Sequence, residues 1–295
     1  MNWILLYNTA WGFAEEIHYP LIDDYVLTSD PRHFDEAVAV VFHMPTIEKR
    51  DPVFAKEKKR FGQLWVFMSM ECEAHYEWQY EPELLSLFDL EMTYKLDADI
   101  PTPYFYPRYK ESLLRKPVAK TALINAFISS NFDRSNRIQS LAELMSVIEV
   151  HSYGNILNNK KIDKDEGVKT KAELISAYKF TIAFENAIAR DYVTEKFFQP
   201  LIMGSVPIYL GAPNIEEFAP GDNCYINVTD FSSIQELGEY IMELDRNEEK
   251  YNSYLKWKEL PLREDFIIKT LIQKDDQFIR LSNKIKAIKD CNVYE

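Results

Sequence analysis

Short apolar runs alternate with amphipathic or polar stretches along most of the chain. Runs over residues 3–7, 25–27, 37–42, 64–68 and 92–96 have the length of strands. Residues 37–42 are apolar throughout, as a parallel strand covered on both faces requires. Between these runs the pattern predicts a charged helix over 47–60 and a helical segment near 82–88. Residues 101–107 read as an extended loop rich in proline and tyrosine, and 110–120 as a basic linker without apolar periodicity.

Beyond the linker the same grammar repeats. Residues 121–127 read as a strand, 134–147 as a helix and 148–153 as the next strand, a βαβ unit. Ile138, Leu141, Leu144 and Met145 stand at helical spacing, and Asp133 stands where a cap belongs. A polar loop and a short helix over 171–177 lead to a strand over 181–184, a helix over 194–203 and a strand over 206–210. A strand over 224–228, helices over 233–244 and 248–260, and a helical stretch over 265–289 complete the pattern. The expected division is a first domain over 1–117, a second over 118–264 and a helical tail over 265–295. Strands alternating with helices in both halves predict an α/β fold with parallel sheets.

The most informative stretch is 178–220, which reads strand, loop, helix, strand. Glu185 and Asn186 follow the first strand, and Tyr192, Glu195 and Lys196 lie at the start of the helix. Gly204 is a suitable C-terminal cap, whereas Pro200 falls inside the helix and removes a hydrogen bond. In open α/β sheets, ligands bind beyond the carboxyl ends of the strands, where these residues fall. A helix N-terminus with Lys196 suits a pyrophosphate, while Glu195 suits sugar hydroxyls. Together they suggest a nucleotide-sugar; the plain alternative is a pair of solvated first-turn residues.

The run FENAIARDYVTEKFFQPLIMGSVPIYLGAPNIEEFAP resembles the signature of the α1,3/α1,4-fucosyltransferase family. Its DYVTEKFFQ and GAPNIEEFAP portions are most similar to the branch that fucosylates the core of N-glycans in plants and invertebrates. The likeness spans roughly residues 37–258. It implies two Rossmann-like domains facing across a cleft (GT-B), a GDP-fucose donor, and inversion at the sugar carbon. Within WVFMSMECEA it implies that Glu71 is the general base. The family usually has Glu-Ser there, and the order Glu71-Cys72-Glu73 makes Glu73 a rival, with His43 and His75 behind it. SSNFDRSNRIQSL resembles the segment that supplies a pyrophosphate-binding arginine, assigned by its spacing to Arg134, with Arg137 as the alternative. Asn186 and Tyr192 resemble donor contacts, Glu195 a sugar or ribose contact, and Lys196 a phosphate contact. Tyr178 resembles a tyrosine near the guanosine end, and the usual FENS reads FENA, with Ala187 in place of serine.

Composition narrows the partners. The 295 residues carry a net charge of −13, which argues against nucleic acid and requires any phosphate site to be a local basic pocket. Hydrophobic residues make up 46%, enough for a full core. Cys72, Cys224 and Cys291 are widely spaced without metal-ligand spacing, and a reduced setting is the simpler reading. No DxD stands at a strand end, since Asp97-Ala98-Asp99 precedes the proline loop, which fits cationic side chains that can replace a metal. The expectation is therefore that no cofactor is required, with a divalent cation at most stimulatory. No basic segment with a long apolar run opens the sequence, and no stretch reaches about 18 apolar residues, so no signal peptide and no integral membrane segment is expected. The resemblance then leaves two compartments. One is the cytoplasm, at most peripheral to a membrane, for a bacterial or viral enzyme. The other is the Golgi lumen, for a piece of a longer eukaryotic protein.

The acceptor implied is a glycan: an N-glycan core, N-acetyllactosamine or a bacterial surface glycan. Trp11, Tyr76, Trp78 and Tyr80 are candidate sugar-stacking aromatics, and Lys56, Lys58, Lys59 and Arg60 read as a solvated basic face. Rival functions are a GT-B transferase with another nucleotide-sugar donor and an inactive carbohydrate-binding relative.

Overall fold

The computed structural model describes residues 1–8, 16–54 and 58–292, so Trp11 and Lys56 lie outside the described residues. The chain forms two compact units, one of residues 1–103 with 272–295 and one of residues 104–271. The expected boundary at 117/118 differs because Phe105 and the helix α2 (Tyr109–Leu113) pack within the second unit: Phe105 meets Phe198, Phe218 and Phe266 edge-on or tilted.

The first unit holds β1 (Asn2–Leu6), β2 (His18–Pro20), β3 (Tyr25–Thr28), β4 (Ala39–His43), β5 (Leu64–Ser69) and β6 (Leu90–Thr93). They form one sheet in the order β2-β3-β1-β4-β5-β6, parallel except for β2 against β3. All five residues of β4 are buried, as its unbroken apolar run requires. The charged helix expected over 47–60 is not formed in the described residues. Pro52 has no N–H to give, and Asp51 instead accepts from Val53 N and Tyr7 Oη, which fixes a short 3₁₀ turn over Pro52–Phe54. A single helical turn, α1 (Pro82–Leu85), follows. Trp78 and Tyr80, expected to be exposed, are partly buried against Phe67 and Phe42 and their neighbours.

The second unit holds β7 (Ala122–Ala126), α3 (Arg137–Val147), β8 (His151–Ser152), α4 (Val168–Ala177), β9 (Tyr178–Phe184), α5 (Glu195–Met203), β10 (Val206–Leu210) and β11 (Ile226–Asn227). Its strands are all parallel, in the order β11-β10-β9-β7-β8. The chain steps from β7 out to β8, then returns past β7 to lay down β9. That reversal is the topological switch point, and it puts the crevice beyond the carboxyl ends of β7 and β9. The core between sheet and helices gathers Ile124, Leu141, Leu144, Phe180, Ile182 and Ile208. α6 (Ile234–Arg246), capped by Ser233, packs on α3, and α7 (Glu248–Ser253) and α8 (Glu264–Thr270) follow. The expected tail is two helices: after α8 the chain turns and forms α9 (Gln277–Asn292).

Candidate functional site

The carboxyl end of β9 delivers Glu185 into the interior, where it is fully buried. Its backbone is clamped from two sides. Glu185 N–H donates to Leu210 O at 2.8 Å, and Ser135 Oγ donates to Glu185 O at 2.6 Å. Its carboxylate accepts from Thr194 N–H at 2.7 Å and from Thr194 Oγ1 at 2.9 Å. Lys196 Nζ lies 3.2 Å from Glu185 Oε2 and 3.5 Å from Glu195 Oε1, and donates to Thr194 Oγ1 at 2.9 Å. Thr194 is also the N-cap of α5, accepting from Lys196 N–H. Strand end, cap and first-turn lysine are thus one hydrogen-bonded unit.

The electrostatics follow from that geometry. Burial pushes the Glu185 carboxyl up, with Lys196 and Thr194 pulling the other way. Burial works against the Lys196 ammonium, but Glu185 and Glu195 outweigh it and raise its pKa, so the lysine stays charged. Burial also opposes ionisation of Glu195, and Lys196 overcomes it to hold that carboxyl low. Glu195 and Lys196 keep partly exposed side chains, and Lys196 faces the Glu185 carboxylate, which water does not reach.

The two candidate arginines part company. Arg134 does not open a helix: it is exposed, and its backbone bridges Ala187, with its N–H donating to Asn186 O at 2.7 Å. α3 begins at Arg137, and Asp133 serves its first turn, accepting from Arg137 N–H and Ile138 N–H at 3.0 Å each. Burial disfavours ionisation of Asp133, but the N–H groups of Ile138, Arg137 and Ser135 prevail and lower its pKa. Arg137 is buried, with Nη2 donating to Ser130 O and Phe132 O at 3.0 Å each. Its Nε is buried without an acceptor among the described residues, and so is Asn186 Oδ1 without a donor. Burial lowers the Arg137 pKa, against the fields of Asp133, Glu185, Tyr192 and Glu195, which puts the guanidinium electrically within the same group.

Tyr192 is buried, its ring edge-on to Tyr104 at 6.3 Å. The turn before it is held by a residue the sequence reading missed: Asn214 Oδ1 accepts from Asp191 N–H at 3.0 Å and Asn214 Nδ2 donates to Asp191 Oδ1 at 2.9 Å. That pair secures Asp191 at φ 65°, in the left-handed region. Gly211 is fixed by space: a Cβ there would stand 2.4 Å from Tyr209 Oη and 2.7 Å from Glu185 Cγ. Tyr178 lies elsewhere. It opens β9, six residues and about 20 Å of strand before Phe184. Its hydroxyl bonds His151 Nδ1 at 2.6 Å and Tyr153 Oη at 2.8 Å.

In the first unit, Glu71 follows β5 in a tight turn where its N–H and carbonyl both meet Ser69 Oγ at 3.2 Å. Glu73 faces inward: its carboxylate accepts from Tyr94 Oη and lies 3.6 Å from Lys95 Nζ. Burial disfavours its ionised form, but Tyr94 and Lys95 outweigh that and lower the pKa. His43 ends β4, buried, with Nδ1 2.8 Å from Thr46 Oγ1, and burial pushes its pKa down to about 4, a weak base at neutral pH. His75 belongs to the 3₁₀ turn Glu73–His75.

Two family models match the chain. The C-terminal model of glycosyltransferase family 10 (fucosyltransferase) matches residues 117–294, and the fucosyltransferase N-terminal model matches residues 1–105. A fucosyltransferase-like protein of Arabidopsis thaliana is 36% identical over 203 residues, 67% of this chain and 38% of that protein. The 4-galactosyl-N-acetylglucosaminide 3-alpha-L-fucosyltransferase 9 of Rattus norvegicus is 32% identical over 245 residues, 82% of this chain and 65% of that protein. A 4-galactosyl-N-acetylglucosaminide 3-alpha-L-fucosyltransferase of Homo sapiens is 32% identical over 271 residues, 87% of this chain and 72% of that protein. The chain spans less than two thirds of the first two relatives. A crystal structure of an alpha1,3-fucosyltransferase with GDP-fucose superposes with a TM-score of 0.54 at 19% identity, covering 85% of this chain and 82% of that one. The likeness is one of fold, α/β with parallel sheets, as expected of the GT-B class. No described helix is long and apolar enough to cross a membrane.

Proposed function

The chain belongs to the glycosyltransferase family 10 fucosyltransferases, and from that premise we propose that it transfers L-fucose from GDP-fucose to a hydroxyl of a GlcNAc-containing glycan, forming an α1,3 linkage with inversion. The observation that supports this best is the pair of unmet buried polar atoms, Arg137 Nε and Asn186 Oδ1, grouped with Lys196 at the switch point of the second unit. A donor and an acceptor held dry without partners suit a ligand that carries both phosphate oxygens and hydroxyls.

The reaction is a single displacement. The acceptor oxygen attacks the anomeric carbon of fucose, and the bond from that carbon to the phosphate oxygen breaks, its electron pair leaving with GDP. Glu71 takes the hydroxyl proton as the new bond forms. Arg137 rather than Arg134 is the phosphate arginine in this reading, because its guanidinium is buried and its Nε has no acceptor among the described residues. Lys196, Arg137 and the amino end of α5 stabilise the charge that grows on the departing diphosphate. Glu195, held ionised by Lys196, accepts from sugar hydroxyls. No divalent cation is required; one at most speeds product release.

The test is a transfer assay with purified protein, GDP-fucose and a panel of N-glycan core, N-acetyllactosamine and bacterial glycans, with and without EDTA. Fucosylated product is expected in both arms. GDP binding with no transfer to any acceptor would favour an inactive relative, and turnover of a different nucleotide-sugar would move the donor assignment. Complete loss in EDTA, restored by manganese, would sink the cationic account.

A further inference from the structure

α4 runs directly into β9, with Tyr178 following Ala177, so its amino end stands near the carboxyl end of the strand. α5 starts from that same end, tied to it by Thr194 and Glu185. The two first turns therefore flank one strand terminus, and each carries a lysine: Lys171 on α4 and Lys196 on α5. Both line a cavity of about 20 Å³, room for a single water, together with Phe127, Thr181 and Gln199.

The two lysines differ in one respect. Lys196 is matched by Glu185 and Glu195, whereas the Lys171 ammonium has no carboxylate or carbonyl partner among the described residues. It lies 5.7 Å from the centroid of the Phe127 ring, which Tyr153 supports by stacking at 5.4 Å. Gln199 Oε1, on the same cavity, is buried and likewise unpartnered among the described residues. Burial lowers the Lys171 pKa; Glu195 opposes that and Lys196 reinforces it, so Lys171 lies within the field of both. A half-buried cation held on an aromatic face, beside a second cation and without an ion-pair partner among the described residues, is a charge in waiting.

We propose that Lys171 is a further donor-binding residue, whose ammonium contacts the diphosphate beside Lys196. The proposal rests on the donor reading above and extends it to a helix that reading leaves unused. Two positive helix ends and two first-turn lysines then converge on one anion. Lys171 acts by binding and takes no part in proton transfer. Its loss should raise the donor KM more than it lowers kcat.

The experiment uses the full chain. GDP affinity is measured by calorimetry for the wild type, Lys171→Met and Lys171→Arg, with circular dichroism as the check on folding. Lys171→Met should weaken GDP about 10- to 100-fold, the range of one charge-assisted hydrogen bond, and Lys171→Arg should recover most of it. In the wild type, acylation of lysines read by peptide mass spectrometry should show Lys171 protected by GDP. This arm needs no variant and decides the matter if Lys171→Met fails to fold. A wild type that does not bind GDP overturns the donor reading and this inference with it. A wild type that binds GDP, with Lys171 labelled equally in its presence or with Lys171→Met unchanged in affinity, overturns this inference alone.

Discussion

The two glutamates after β5 sit in different surroundings. Glu73 is engaged by Tyr94 and Lys95, so its charge serves the interior of the first unit. Glu71 stands in the turn closed by Ser69. Glu71→Gln keeps shape and hydrogen bonding but cannot take a proton. Transfer should fall by about 10²- to 10⁴-fold, with GDP affinity unchanged. Glu73→Gln should slow transfer only slightly and lower the thermal midpoint, since it weakens the Tyr94 and Lys95 contacts. The reverse pattern would move the base by two residues. Glu195 and Lys196 could be read from the sequence because a strand, a short loop and a helix start place them at a strand end by local rules. Asn214 and Lys171 could not, and of Glu185 only its place after the strand could. Each acts on a residue from another segment: Glu185 on Lys196, Asn214 on Asp191, and Lys171 beside Lys196 across two helices. Arg134 and Arg137 are three residues apart; spacing pointed to Arg134, whereas the loop leaves Arg134 exposed and buries Arg137.

Helix ends explain the other basic region of the second unit. Lys258, in the 3₁₀ turn Lys256–Glu259, is buried and donates to Leu201 O of α5 at 2.7 Å and to Leu113 O of α2. Lys120 Nζ donates to Ser176 O, near the end of α4, at 2.7 Å. These ammoniums satisfy last-turn carbonyls and face the negative ends of the helices. Burial pushes both lysines down to about 8, and Lys120 also depresses Lys258. An unfolded lysine titrates at about 10.4. Between these values the unfolded chain binds more protons, so this contribution to stability rises with pH. The stability advantage of wild type over Lys258→Met should therefore grow from pH 7.5 to 9.5, as measured by urea midpoints at the two values. A difference that stays constant would mean that Lys258 titrates normally. The same logic of backbone groups limits what the sequence can predict for elements. α5 and α6 were legible because Thr194, Gly204 and Ser233 mark their ends. The expected helix over 47–60 failed because Pro52 and Asp51 favour a turn, a local preference that outweighs charge patterning.

The whole chain is not two domains in series. It leaves the first unit after Pro103 and returns at Ile272, so the second unit is an insertion between the sheet of the first and its last helix. Leu281 and Ile285 of α9 are fully buried against Ile4, Leu27, Ala39 and Met92. Lys284 Nζ lies 3.1 Å from Asp99, and Lys286 pairs with Asp23. The amphipathic stretch was legible as a helix, but its destination was not, because a tail sequence says which face is apolar and not which sheet receives it. β1 and β4 therefore lack part of their cover until the final residues are in place. Leu281→Ala should destabilise the first unit by about 2–5 kcal/mol, the cost of truncating a large side chain in a packed core. Hydrogen exchange can locate that loss. Amides of β1, β4 and β5 should lose protection, while those of β9 and β10 keep theirs, because among the described residues the cluster packed on β9 and β10 includes none from α9. Equal loss across all five strands would mean that the units unfold as one, and no loss anywhere would mean that α9 is dispensable to the core it covers.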